Sequence, residues 1–306
     1  MDKVTSVIKK ELKYAVFPMV CADHCAWLSD IDFASVATDA QKLAEVTINA
    51  CQQYNYDAIL LFSDAYVEAQ AMGCPVRLTP FPIITGPMGA ERIDRTQLII
   101  EAAGKIKAKT DIPVFVSIKG PFSLAAFLCG LKEFMISLLK DNVKAEGFIS
   151  KALEFQMQYL DRLSGLGVNI MIGDPVASAS LISPETFRNY ALPSLKTMIT
   201  KIKSFGGLVA IHICGDTHPI VDQLDKIGAD LLSIEDISIP TSTIKMGGVS
   251  TNTMLYGSLS NINAEIETAL ANDHLILSTS CDIPIHTPPE NIKALISIAR
   301  DKTKGQ

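Results

Sequence analysis

Short apolar runs recur along the chain and alternate with stretches of helical periodicity. The runs are YAVFPMV (14–20), DAILLF (57–62), IPVFVSI (112–118), VNIMIG (168–173), GLVAIHI (207–213), ADLLSIE (229–235), GGVSTNTM (247–254) and HLILSTS (274–280). Between them, DAQKLAEVTINACQQY, AEGFISKALEFQMQYLDRL and SPETFRNYALPSLKTMITKI place apolar residues at helical spacing. SPET at 183–186 and SNINAE at 260–265 read as helix starts, with Ser183 as N-cap and Pro184 at the first helical position. Regular strand–helix alternation implies a parallel sheet covered by helices. Eight such strands with no linker predict an α/β protein, a closed (β/α)8 barrel forming a single domain over residues 1–306. A doubly wound open sheet is the alternative. The stretch 64–94 fits neither element and reads as an insertion after the second strand, while the seventh run is unusually polar.

Composition narrows the function. With 306 residues, 48% of them hydrophobic, the chain can bury a large core. A net charge of −6 argues against nucleic-acid binding, which needs a clustered basic face. The lysines at 105–109 and 201–203 fall near helix ends, where a solvated face is the plain reading. The opening MDKVTSVIKKELKY lacks the apolar core of a signal peptide, and no later run is long enough to span a membrane. Together with seven cysteines, an odd number, this predicts reduced thiols in the cytoplasm rather than a disulfide scaffold. Most of those cysteines read as small apolar core residues.

The strand ends carry the candidate chemistry, because in such a barrel the carboxyl ends of the strands face the active site. They hold Asp64 after strand two, Asp174 after strand four, His212 and Cys214 at strand five, Glu235 and Asp236 after strand six, and Cys281 with Asp282 after strand eight. Residues i and i+2 of a strand share a face, so His212 and Cys214 point the same way while Ile211 and Ile213 pack against helices. Strand eight does not neighbour strand five in a closed barrel, so Cys281 must reach across the mouth. One imidazole and two thiolates suit zinc, and three protein ligands leave a position open for substrate. Buried, unliganded core residues are the competing reading of the same three positions.

Other residues admit two readings each. Glu235 is a candidate fourth zinc ligand or an acceptor that orients His212. Asp174 and Asp64 are candidates for orienting substrate, or simply helix caps. Lys119 is the best-placed cation for an anionic substrate tail, with a solvated lysine as the plainer reading. His24 and Cys25 read as loop or helix surface; His218, His274 and His286 read as helix-start, surface or supporting residues. Gly120, Gly173 and Gly215 read as permitting tight turns after strands.

SDAYVEAQAMGCPV (63–76), KGPFSLAAFL (119–128), GDPVASASLISPETFRNYALP (173–193), AIHICGDT (210–217), LLSIED (231–236) and ILSTSCDIPIHTPPENIKAL (276–295) together cover much of the chain. On these residues it resembles the uroporphyrinogen decarboxylase superfamily, and within it the corrinoid-dependent methyltransferases of the methylcobamide:coenzyme M type. The resemblance implies a zinc-binding (β/α)8 barrel with His212, Cys214 and Cys281 as ligands, in methanogenic one-carbon metabolism. It implies a thiol made nucleophilic on zinc and methylated from a corrinoid. No Asp-x-His-x-x-Gly corrinoid motif is present, so the corrinoid is expected on a partner protein. The same chemistry can run in reverse, as demethylation of an ether or thioether. True decarboxylases look to N-terminal cations for a polycarboxylate substrate, whereas no arginine here precedes Arg77. A metal-free decarboxylase and a zinc protein that only docks a corrinoid partner are the remaining alternatives. The chain departs from the methyltransferases in a shortened N-terminal helical region and in having no identifiable loop for the sulfonate of coenzyme M.

Overall fold

A computed structural model describes residues 1–303. Eight parallel strands form one sheet: β1 (Tyr14–Val16), β2 (Ile59–Leu61), β3 (Val114–Lys119), β4 (Asn169–Gly173), β5 (Val209–His212), β6 (Leu231–Ser233), β7 (Ile244–Val249) and β8 (Leu275–Thr279). The hydrogen-bonded order runs β1, β8, β7, β6, β5, β4, β3, β2, so consecutive strands are neighbours except at the two edges. The edge strands share no ladder. They are bridged instead by the Asp57 N–H donating to Val16 O at 2.8 Å and the Val16 N–H donating to the Asp57 carboxylate at 2.8 Å.

Alternation along each strand sorts side chains into two cores. Val16, Ile59, Val116, Ile172, Ile211 and Leu277 point outward into the main core under the helices. Ala15, Leu60, Phe115, Met171, Ala210 and Ile276 fill the interior of the curled sheet, where the Phe17 and Phe115 rings meet at 5.3 Å. Val4 and Val7 of the short helix Lys3–Ile8 belong to this same interior cluster.

The helices begin where their caps dictate. Asp39 accepts from the Gln41 and Lys42 N–H groups at the start of Ala40–Tyr54, and Ser183 accepts from the Thr186 N–H just before Pro184. The predicted helix through 183–202 contains a π-turn at Phe187–Ala191, two residues before Pro193, which has no N–H to continue the regular ladder. Ser258, with a capping box to Asn261, starts the helix Leu259–Ala269 two residues earlier than predicted.

Two predicted elements are displaced. The seventh strand is 244–249 rather than 247–254, and Thr251–Tyr256 is a helix capped by Ser250. Lys245 hid the strand's beginning: its ammonium is satisfied by Ile237 O, Ile239 O and Asn272 Oδ1, so a lysine sits within an otherwise buried strand. The stretch 64–94 contains a helix, Val67–Ala71, and a two-stranded ribbon pairing Val76–Arg77 with Ile83–Ile84. Among the described residues no single helix is long and apolar enough to cross a membrane.

Candidate metal and substrate site

The site is built at the carboxyl end of the sheet. Register aligns Lys119 with Gly173, Gly173 with His212, and His212 with Ser233. Each lies an even number of residues after an inward residue of its own strand (Phe115, Met171, Ala210, Leu231), so this row faces the interior. His212 ends β5 and is buried. Its Nδ1 lies 3.0 Å from Ser233 Oγ, which leaves Nε2 directed at the mouth.

Cys214 and Cys281 complete the cluster. Cys214 Sγ is 3.1 Å from His212 Nε2, Cys281 Sγ is 3.6 Å from the same nitrogen, and the two sulfurs are 3.8 Å apart. Thus Cys281 does cross the mouth from β8. Among the described residues, this is the one group of three or more metal-binding side chains whose donor atoms come within 4.8 Å of one another. The five other cysteines are buried, whereas Cys214 and Cys281 are the two partly accessible thiols.

Neighbouring loops hold Cys214 in place. Gly215 has a left-handed φ of 73°, and a Cβ there would come within 2.7 Å of Ser180 Oγ. The Gly215 N–H donates to Glu235 Oε1 at 2.5 Å, and the Asp216 N–H donates to Ser180 Oγ at 2.9 Å. A hydrogen bond from Cys281 lowers the Cys214 thiol, and the same contact together with burial raises Cys281. Burial alone would lower His212, but its hydrogen bond to Cys281 outweighs that and its pKa is raised.

The other sequence candidates are placed differently. Glu235 is exposed and bonded to the Gly215 backbone, so Ser233, and not Glu235, takes the back of His212. Asp64 is buried in a two-pronged ion pair with Arg95, at 2.5 and 3.1 Å, and also accepts from the Tyr66 N–H; Arg95 Nε in turn donates to Gln70. That arrangement ties the start of the 64–94 segment to the chain beyond it. Asp174 is fully buried, and its Oδ1 accepts from the Ser123 N–H at 2.7 Å. It therefore caps the helix Pro121–Cys129, which follows β3, while its own strand is β4. Its Oδ2 has no partner, and burial pushes the carboxyl up to about 6. Gly120 makes this possible: any Cβ there would lie 2.2 Å from Asp174 Cγ. Gly120 thus serves close approach rather than a turn; its φ is −64°. Gly173 likewise lies within β4 and turns nothing.

Two expectations are corrected. Lys119 is not solvated; only 6% of it is exposed. His24 and Cys25 are buried in the helix Ala22–Leu28 rather than on a surface. The His24 ring is satisfied by Ile285 O at 3.0 Å and Tyr54 Oη at 2.9 Å, and burial pushes its pKa down to about 4. His218 is exposed between Asp216 and Asp236, and His286 is exposed against Trp27. Sequence reasoning missed Ser233 and also Asp23, whose carboxyl is raised to about 6 by burial and by Asp282. The position of Ser233 at the end of β6, in register with His212, was the available signal for the first; Asp23 left none.

A sheet of eight parallel strands with a His–Cys–Cys cluster at its carboxyl end defines the class. The chain belongs to the uroporphyrinogen decarboxylase (URO-D) family, whose profile matches residues 18–302. Its relatives include the methylcobamide:CoM methyltransferase MtaA of Methanosarcina barkeri, 27% identical over 293 residues, with 87% of this chain and 85% of that protein covered. The methylated-thiol–coenzyme M methyltransferase of Methanosarcina mazei is 23% identical, with 86% of this chain and 77% of that protein covered. A solved methyltransferase from Methanosarcina mazei superposes with a TM-score of 0.87 at 26% identity, covering 97% of each chain.

Proposed function

We propose that this protein is a zinc-dependent methyltransferase that moves a methyl group from a corrinoid carried by a partner protein to a small thiol. The observation that carries the reading is the spacing of the three donors. Tetrahedral zinc at about 2.3 Å from sulfur and about 2.0 Å from nitrogen sets ligand-to-ligand edges of about 3.8 Å for S···S and about 3.5 Å for N···S. The protein has 3.8 Å between the sulfurs and 3.6 Å from Cys281 to His212, with only the Cys214–His212 edge shorter, at 3.1 Å. His212, Cys214 and Cys281 would hold the ion, Ser233 fixes the imidazole so that Nε2 faces it, and Glu235 holds the Cys214 loop. A zinc ion bound there supplies the charge that keeps a substrate thiol deprotonated at neutral pH, where a free thiol near pKa 8.5 is mostly protonated.

In this reading the thiolate sulfur forms the new bond to the methyl carbon, and the cobalt–carbon bond of the corrinoid breaks with its electron pair left on cobalt. Two cysteine thiolates neutralise the ion's charge and so keep electron density on the substrate sulfur. The methyltransferase relatives and the family match support this chemistry. We read the sheet as a barrel closed between β1 and β2, all in one domain, whose mouth receives the partner's planar cofactor. A decarboxylase acting on a polycarboxylate is disfavoured by the mouth itself, where Asp282 and Glu235 lie near the thiols, Asp23 lies near Asp282, and Arg95 is spent on Asp64.

Metal analysis tests the reading. Purified protein should hold about one zinc per chain, and Cys214→Ser and Cys281→Ser should each lose most of it. Adding a thiol to the zinc form should release about one proton per site near pH 7. Full zinc retention in both variants would overturn the assignment.

A further inference from the structure

Among the described residues, Cys214 and Cys281 are the one pair of thiols both close together and open to solvent. Cys21, Cys25, Cys51, Cys74 and Cys129 are buried. Burial also pushes the Cys51 thiol up to about 12 and the Cys74 thiol up to about 11, so at neutral pH these two carry almost no reactive thiolate. The sulfurs of Cys214 and Cys281 lie 3.8 Å apart. A disulfide bond is about 2.05 Å long, so they need to approach by less than about 2 Å to be joined.

The backbone lets them close. Cys214 lies beyond the last residue of β5, His212, and Cys281 beyond the last of β8, Thr279, so neither is fixed within a strand. Cys281 is anchored from its flanks: the Ser280 N–H donates to Val249 O at 2.8 Å and the Ile283 N–H to Met19 O at 3.0 Å, leaving residues 281 and 282 to bend between them. The chain at Cys214 is anchored by the Gly215 N–H on Glu235 Oε1 at 2.5 Å, and turning the Cys214 side chain leaves that bond in place. A bond between the sulfurs would staple the ends of β5 and β8 across the mouth. It would also take both thiolates out of the donor set and leave His212 alone with Ser233, and a lone imidazole makes no zinc site.

We infer that Cys214 and Cys281 form a redox-sensitive modification site, joined as a disulfide in the metal-free protein by exchange with a small disulfide and reopened by a thiol reductant. One cysteine attacks a sulfur of the small disulfide, whose S–S bond breaks, and half of the oxidant leaves as a thiol. The second cysteine then attacks the protein sulfur of the mixed disulfide and expels the other half. The two cysteines lose two protons and two electrons; these end on the two released thiols, so the small disulfide is reduced as the protein is oxidised. With zinc bound, both sulfurs are occupied and the first step is blocked, so the site responds only when it is empty of metal. The inference rests on the metal reading for what the disulfide switches off, while the bond itself stands on the two sulfurs.

Thiol mapping tests it. Metal-free wild type is treated with oxidised glutathione, then unfolded, alkylated and digested for mass spectrometry. Two of the seven cysteines should escape alkylation, in one cross-linked peptide pair that joins Cys214 to Cys281 and is released by dithiothreitol. Protein loaded with zinc beforehand should keep all seven alkylatable over the same period, and oxidised protein should take up no zinc until it is reduced. Cys281→Ser should stop at a mixed glutathione disulfide on Cys214, and Cys214→Ser at one on Cys281; should either variant fail to fold, the wild-type peptide map decides. A wild type that stops at the mixed disulfide, that cross-links a buried cysteine instead, or that takes up zinc equally well after oxidation would overturn the inference. If the cross-link forms while neither the oxidised nor the reduced protein binds zinc, the metal assignment fails and the disulfide site stands.

Discussion

Asp174 offers a prediction whose size follows from the structure. Its carboxyl is fully buried with one oxygen unpartnered, and burial raises its pKa from 3.8 to about 6. The difference of about two pH units corresponds to about 3 kcal/mol between the protonated and ionised folded states. Since the folded value lies above the unfolded one, the favourable contribution is complete only below about pH 4 and is withdrawn as pH rises through about 6. Asp174→Asn keeps an oxygen for the Ser123 N–H and cannot ionise. Its stability relative to wild type should therefore improve by about 2 to 3 kcal/mol between pH 4 and pH 8, whatever the offset at pH 4. With a urea slope of about 3 kcal/mol per molar, the gap between the two unfolding midpoints should widen by about 0.8 M over that range. Urea titrations of both proteins at several pH values measure it directly. A gap that stays constant with pH would refute the description of Asp174 as an ionisable group buried without sufficient partners.

Three further outcomes are expected. Ser233→Ala removes the group behind His212, so zinc affinity measured by chelator competition should fall about tenfold to a hundredfold with the fold intact. Gly120→Ala would place a Cβ 2.2 Å from Asp174 Cγ, so it should cost at least about 2 kcal/mol of stability in urea titration, and most of that loss should persist at every pH. Chelation should leave the thermal transition cooperative, because two cores hold the sheet without help from a metal; loss of the transition at ordinary temperature would make the metal structural.

Much of this was legible in the chain because the physics involved is local. Period-two alternation and β-branched runs mark the buried strands, and the His212–Cys214 spacing alone puts both donors on one face. The remaining features depend on contacts that the local pattern does not carry. Lys119 reads as solvated because lysine after a strand usually is, yet it is buried, with its backbone bonded to Glu68 and Gln156, both far away in sequence. The beginning of β7 was obscured by Lys245, whose three acceptors come from the chain between β6 and β7 and from Asn272. Asp174 reads as a cap for the helix after its own strand, yet it caps the helix after the neighbouring one, a choice made by sheet register and by the absence of a side chain at Gly120. Cys281 could be paired with Cys214 only through the curl of the sheet.

The most direct test is anaerobic turnover of a methylated corrinoid by the zinc-loaded protein with 2-mercaptoethanesulfonate, followed by the visible spectrum of cobalt. Thiol methylation requires reduced corrinoid and methyl thioether to appear in equal amounts, and on the proposed reading faster from a methylated corrinoid protein than from free methylcobalamin, because a partner protein would orient cobalt at the mouth. Cys281→Ser should abolish both signals. If the cobalt–carbon bond stays intact in the presence of zinc and thiol, while a phenyl methyl ether methylates reduced corrinoid on the same protein, thiol methylation is not its reaction and the site runs in the demethylating direction.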